Sequence, residues 1–224
     1  MIALQEVLAN QLSELCQCLP GYKVFGQPID RSVPNPQYNP ILVNTKSSLK
    51  LKVVRNGTFW LSETPEKEAS RFASSKEPRT CSWVKLRREN YPGHTQEPIY
   101  VANTHLTWRS MQTATQQVRA LMTHLKDKII KPQQCPRIIL TGDFNWESNG
   151  TVYKETKYGF GFSNTMEDGL LKYPALTALP PYPGLVDYIW QTGFNGVLSA
   201  TLMDERPDNQ RYMSDHRPVI AVLK

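Results

Sequence analysis

Ile138-Ile139-Leu140-Thr141-Gly142-Asp143-Phe144-Asn145 is the stretch whose reading decides the fold. The short apolar run from Arg137 to Leu140 reads as a buried strand. It closes on Gly-Asp, a turn-forming pair, followed by an amide. A polar group just past an apolar run sits at a strand end, where a sheet presents side chains into a cleft. The same layout recurs along the chain. Gln5-Glu6 follow Met1-Ile2-Ala3-Leu4, and Asn103-Thr104-His105 follow the strand beginning at Ile99. Asp187-Tyr188 open a strand reaching Trp190, and Ser214-Asp215-His216 precede a last strand, Pro218 to Leu223. Each cluster alone is an ordinary cap or turn. Five clusters rich in carboxylate, amide and imidazole are harder to explain as turns.

The rest of the chain is strand-rich. Leu8, Leu12, Leu15, Cys16 and Leu19 have helical spacing and stop at Pro20-Gly21. Tyr22–Phe25, Ile41–Val43, Leu49–Val54 and Cys81–Leu86 read as strands, with a polar, exposed loop over 62–78. Val118, Leu121, Met122, Leu125 and Ile129 share one helix face ahead of Pro132. With many strands, few helices and no repeat, the pattern predicts one α+β domain over residues 1–224, built on packed sheets.

Composition bounds the function classes. The 224 residues are 40% hydrophobic and 21% charged, with five Trp, ten Tyr and seven Phe, which suits a folded globular chain and excludes global disorder. No apolar run approaches the roughly 20 residues of a membrane helix. The formal net charge of +6 permits an anionic partner such as nucleic acid without requiring one. Cys16, Cys18, Cys81 and Cys135 form no C-x-x-C pair, so free thiols packed as small hydrophobes in a reducing compartment are expected, and a cytoplasmic monomer with them. No secretory signal is visible.

The stretches Ile2-Ala3-Leu4-Gln5-Glu6, Asn103-Thr104-His105-Leu106, Leu140-Thr141-Gly142-Asp143-Phe144-Asn145, Val186-Asp187-Tyr188-Ile189 and Ser214-Asp215-His216-Arg217-Pro218-Val219 resemble, in order, the motifs of the endonuclease/exonuclease/phosphatase superfamily, the deoxyribonuclease I-like metal-dependent hydrolases. The resemblance spans residues 2 to 219. It implies a four-layer α/β sandwich, two packed mixed sheets flanked by helices, with the site at one end of the sheets. It also implies hydrolysis of a phosphoester with Mg²⁺, or Mn²⁺ in its place. Within that class a phosphodiesterase or nuclease acting on DNA or RNA comes first. A phosphatase or phosphodiesterase of a sugar or lipid phosphate comes second, and a non-catalytic binding module on the same scaffold third.

By the same resemblance, Glu6 is the principal metal ligand, with Asp215 at or near the ion. Asn145 binds a metal water or a phosphate oxygen. Oxygen donors of this kind are what a hard cation takes. Asp143 orients and deprotonates the attacking water. His216 meets the scissile phosphate, with Asp187 fixing its tautomer. His105 hydrogen-bonds a phosphate oxygen or protonates the leaving group. Arg79, Asn39 and Trp146 are candidate substrate contacts. The family also has an earlier strand that supplies an Asn to the metal site. Glu6 stands five residues after Met1, so a chain lacking that strand is expected here, with lower stability and activity than one that has it.

Other polar and aromatic residues have blander readings. His94 and His124 are expected to be solvated. Lys46, Lys50, Lys52 and Arg55 read as a charged edge strand that discourages pairing. Most of the tryptophans read as core or cleft wall.

Overall fold

The computed structural model describes residues 1–89, 97–130, 136–168, 176–181, 183–204 and 213–224. The readings made for His94, Pro132 and Cys135 lie outside those residues. In chain order the elements are β1 (Ile2–Ala3), β2 (Val7–Leu8), α1 (Ala9–Cys18), β3 (Tyr22–Phe25), β4 (Gln37–Tyr38), β5 (Ile41–Asn44), β6 (Leu51–Trp60), β7 (Thr80–Arg88), β8 (Ile99–His105), α2 (Met111–His124), β9 (Arg137–Asp143), α3 (Thr151–Lys154), β10 (Ser163–Asn164), α4 (Thr165–Asp168), β11 (Asp187–Thr192), β12 (Val197–Leu202) and β13 (Val219–Leu223). Both α2 and α3 run on into a π-helical turn, Leu125–Ile129 and Glu155–Gly159.

Six strands form one mixed sheet in the order β10-β11-β9-β8-β7-β6. Within it β8 and β9 are parallel and the other pairs antiparallel. Parallel neighbours need a long crossover, and α2 supplies it. A smaller sheet, β1-β5-β3, is antiparallel in its described pairs. Two further strand pairs, β2-β4 and β12-β13, complete the pattern.

Alternation along the central strands sends side chains to two cores. Trp83, Tyr100, Ala102, Ile138 and Leu140 join Val118, Leu121, Met122 and Leu125 of the α2 side. Their neighbours Val84, Val101 and Ile139, together with Leu86 and Ile99, meet Ile41, Val43 and Phe25 of the smaller sheet. Each fully buried Leu or Ile contributes roughly 1.5–3 kcal/mol by leaving water. With α1 lying against β2 and β3, the layers run helix, sheet, sheet, helix. This is the four-layer sandwich expected.

Several boundaries differ from the sequence reading. Strand β6 runs on to Trp60, past a register shift between Val53 and Arg55. It is the edge strand of the large sheet, as expected from Lys52 and Arg55, whereas Lys46 and Lys50 lie ahead of it. Helix α2 starts at Met111, behind a Ser110 cap whose hydroxyl accepts from the Thr113 amide at 3.3 Å. Its first turns bury Thr113, Ala114, Thr115 and Gln117, which apolar periodicity does not register. Strand β12 went unread because Ser and Thr interrupt it.

His124 is a correction. Its side chain is largely covered, stacks on Phe59 at 4.3 Å and faces Glu66, and burial pulls its pKa down. Cys16 and Cys18 are a second correction. They are exposed on α1 rather than packed, and among the described cysteines Cys81 alone is buried.

Candidate active site

Strands β8, β9 and β11 are neighbours, and their register aligns three side chains. His105 pairs with Asp143, and Asp143 pairs with Asp187. Directly opposed residues share a sheet face, so imidazole and two carboxylates form one row at the end of the sheet. Gly142 permits the close approach: a Cβ there, at φ 150°, would lie 2.1 Å from the Thr104 carbonyl oxygen. The turn that follows is pinned. Asp143 Oδ1 accepts from the Asn145 amide at 2.7 Å, and Asn145 Nδ2 donates to the Leu106 carbonyl at 2.9 Å. Asn145 is left-handed (φ 59°), a conformation Asn tolerates better than most residues.

Glu6 is also left-handed, at φ 56°, an unusual choice for Glu that costs of order 1–3 kcal/mol. A buried amide network holds the preceding residues. Gln5 Nε2 donates to Asn103 Oδ1 at 2.7 Å, and Asn103 Nδ2 donates to the carbonyls of Leu4 (2.7 Å) and Pro40 (3.1 Å). The Glu6 carboxylate, 57% exposed, comes within 3.6 Å of His105 Nδ1.

His105 is buried, and its pKa is driven well below the usual imidazole value by burial first and by the charges of Arg79 and His216 next. It is neutral at pH 7. Its Nδ1 accepts from Arg79 Nη1 at 3.0 Å, which assigns the ring proton to Nε2, 3.5 Å from Asp143 Oδ2. These contacts to Glu6 and Asp143 are therefore dipolar rather than ion pairs. Arg79 is itself buried, and desolvation pulls its pKa down against the opposing fields of Glu77, Glu6 and Asp143. It remains a cation.

His216 has the opposite electrostatics. Its Nδ1 is 2.7 Å from Asp187 Oδ2, and this bond is the largest of the causes that lift its pKa to about 9. Asp143 is pushed up to about 7, by burial first and by Asp187 second, against the pull of His216, the Asn145 amide and Arg79. Thr177, fully buried, fixes the start of β11. Its hydroxyl accepts from the amides of Val186 and Asp187, and its carbonyl accepts from the Arg217 amide at 2.8 Å.

The structure thus brings together Asp143, Asp187, His216, His105, Arg79, Asn145 and Glu6. Asp143, Asp187 and His216 offer ligand atoms all within 4.8 Å of one another, a spacing at which a metal could be held. Glu6 and Asp215 are not in that group. Asp215 is exposed, accepts from Ser214 Oγ at 3.4 Å and adds to the field on His216. Asn39 is fully buried behind the site. Its Nδ2 donates to Thr80 Oγ1 at 3.2 Å, and its Oδ1 has no partner. Trp146 is half-buried, its Nε1 donating to the Thr107 carbonyl at 3.0 Å.

Thr177, Glu77 and the clamping role of Asn103 escaped the sequence reading. Thr177 and Glu77 have no motif. Asn103 sat inside a recognised cluster, but nothing local shows an amide reaching residues almost a hundred positions away.

The donors suit a hard cation. Glu6, Asp143, Asp187 and Asp215 supply carboxylate oxygens. Asn145 has its amide nitrogen engaged on Leu106, which leaves the oxygen for a ligand. Cys81 is fully buried and Cys16 and Cys18 lie exposed on α1, and among the described residues no cysteine joins the cluster of possible ligands.

No protein-family model matches the chain, and no curated protein matches it in sequence. Solved structures do match. One is an endonuclease/exonuclease/phosphatase from Bacteroides vulgatus, at a TM-score of 0.84 and 23% identity over 99% of this chain and 83% of that one. A mannosyl-6-phosphatase of Bacteroides thetaiotaomicron VPI-5482 matches at 0.77 and 22% identity, over 99% and 84%. D. rerio TDP2 complexed with a single-strand DNA product matches at 0.72 and 16% identity, over 99% and 84%. The fold of this chain is that of the endonuclease/exonuclease/phosphatase proteins, as its motifs implied.

Proposed function

We propose that this chain is a divalent-metal-dependent phosphoester hydrolase, and that nucleic-acid phosphodiesters are its first substrate class. The observation that carries the reading is the row His105–Asp143–Asp187 with His216 hydrogen-bonded to its end. It sets a neutral imidazole and a charged one on either side of a buried carboxylate.

Glu6, Asp215 and Asn145 would hold the cation, Mg²⁺ with Mn²⁺ as substitute. When bound it supplies Lewis-acid polarisation of a phosphoryl oxygen. The chain's own groups do the rest. Asp143, anchored by the Asn145 amide, orients the attacking water and takes its proton. His216, tied at Nδ1 to Asp187, keeps Nε2 as the donor for a phosphate oxygen whose charge grows during attack. Arg79 and the Nε2–H of His105 meet the same anion from the other side of Asp143. The expected total is large, since phosphate esters are among the slowest hydrolyses and need on the order of 20 kcal/mol of barrier reduction.

A second reading, a phosphatase or phosphodiesterase of a sugar or lipid phosphate, draws support from the likeness to the mannosyl-6-phosphatase. The site chemistry is the same and only the leaving group differs. The test is turnover of bis-p-nitrophenyl phosphate, p-nitrophenyl phosphate, labelled DNA and labelled RNA, each with Mg²⁺, Mn²⁺ or EDTA. Metal-dependent diester cleavage is expected. Monoester-only turnover selects the second reading. Ligand binding without any turnover leaves a binding module and ends the catalytic proposal.

A further inference from the structure

The connection between β8 and α2 carries a tryptophan that the hydrolytic machinery does not use. Trp108 is 57% exposed, although Leu106 and Thr107 just before it are buried. The other tryptophans are covered: Trp60, Trp83 and Trp190 are buried and Trp146 is half-buried, so Trp108 alone among them offers an open ring. The ring is not on a loose loop. The Thr107 amide donates to Gln117 Oε1 at 2.9 Å, and the Thr107 carbonyl accepts from Trp146 Nε1 at 3.0 Å. The Arg109 amide reaches Thr107 Oγ1 at 3.4 Å, and Ser110 then caps α2. The backbone on both sides of Trp108 is fixed by side chains of α2 and of the Asn145 turn.

A chain of side chains leads from this ring into the site. The Arg109 guanidinium lies 4.5 Å from the Trp108 ring centre. Arg109 Nη2 is 3.4 Å from Glu77 Oε1, and Glu77 Oε2 is 3.5 Å from Arg79 Nη2. Arg79 Nη1 in turn is 3.0 Å from His105 Nδ1. One carboxylate therefore spaces two guanidiniums, the inner one on the catalytic row and the outer one on the open ring. The arrangement pairs an anion site with an aromatic platform and a cation beside it.

We propose that Trp108, backed by Arg109, is the stacking platform for an unpaired nucleobase next to the scissile phosphate, so that the preferred substrate is single-stranded nucleic acid. This rests on the hydrolase reading and narrows it. A strand whose phosphate meets Arg79 and His105 continues past Arg109, whose charge suits the next phosphate. A base on that nucleotide finds the tryptophan. Stacking on an aromatic ring accepts any base, and it needs a base whose face is free, which a duplex does not offer. A lipid chain would want an apolar floor, whereas the neighbours here are Arg109 and Glu77.

The experiment compares wild type, Trp108→Ala and Trp108→Phe on a single-stranded oligonucleotide and on the same strand built wholly of abasic sites. The wild type is expected to show a KM at least about tenfold lower for the strand with bases. In Trp108→Ala that preference falls to about one, with the change in KM rather than kcat, and Trp108→Phe restores most of it. An undiminished preference in Trp108→Ala, or an equal loss on both strands, overturns the proposal. Fluorescence anisotropy of the two strands with the metal chelated gives the same comparison by affinity. If no phosphoester is turned over, the hydrolase reading fails, and the anisotropy still decides the platform on its own.

Discussion

Asp187 Oδ2 lies 2.7 Å from His216 Nδ1, and the two residues approach from opposite ends of a 29-residue separation. The contact fixes which ring nitrogen faces outward and keeps the ring charged. Asp187→Ala removes both effects and is expected to lower kcat by about a hundredfold or more while leaving KM within a few-fold. Asp187→Asn keeps a hydrogen bond without the charge and should fall between. Steady-state kinetics with bis-p-nitrophenyl phosphate distinguish these, and equal rates for all three proteins would remove Asp187 from the mechanism.

Asp143→Asn and His216→Ala act on the groups nearest the reaction. Each is expected to cost at least about a hundredfold in rate. Thermal melts should show both variants folded. A mild loss in both would take them off the catalytic roster.

Chelation offers a test with two readouts. EDTA should abolish turnover, and Mg²⁺ or Mn²⁺ should restore it. Independently of activity, a cation that binds only the folded protein stabilises it by about 2.7 kcal/mol at a hundredfold excess over Kd. The melting temperature should therefore rise with Mg²⁺, and rise less in Glu6→Gln. A melt blind to Mg²⁺ in the wild type speaks against a cation held by Glu6.

Gly142 tests the fold rather than the chemistry. An added Cβ meets the Thr104 carbonyl at 2.1 Å, against backbone that cannot swing aside, and the parallel pairing of β8 with β9 must open. Gly142→Ala is expected to lower Tm by about 6–12 °C, taking a cost of roughly 3 kcal/mol at 2–4 °C per kcal/mol. Differential scanning calorimetry checks it, and an unshifted Tm would mean that the strands part without penalty.

How much of this was legible beforehand depends on what a linear pattern can carry. The strand-end clusters of Asn103–His105, Gly142–Asn145 and Asp187 could be read because each is an apolar run stopped by polar residues, and order along the chain preserved their kinship. The register that sets His105, Asp143 and Asp187 in one row could not, since cross-strand alignment is settled by pairing and not by spacing. Helix α2 was half seen: Val118 to Ile129 repeat with the helical period, whereas Thr113 and Gln117 are buried polar residues whose value lies in partners such as the Ser74 hydroxyl and the Thr107 amide. Trp108 was grouped with the core and cleft-wall tryptophans, and Trp146 alone was singled out as a substrate contact. Whether a ring is covered is a property of the folded surface, and Trp60 and Trp190, alike in letter, are buried.

Among the described residues, strand β11, which bears Asp187, has just the two-residue β10 beyond it on that side of the large sheet. A sheet frays from its margins inward, so the outermost pairing opens at lower free energy than the centre. Loss of β10 bares the outer edge of β11, and parting of β11 from β9 then detaches the carboxylate partner of His216 while β7, β8 and β9 stay joined. On warming, or early in denaturant, catalysis should therefore vanish ahead of the bulk of the circular dichroism signal, and during refolding it should return last.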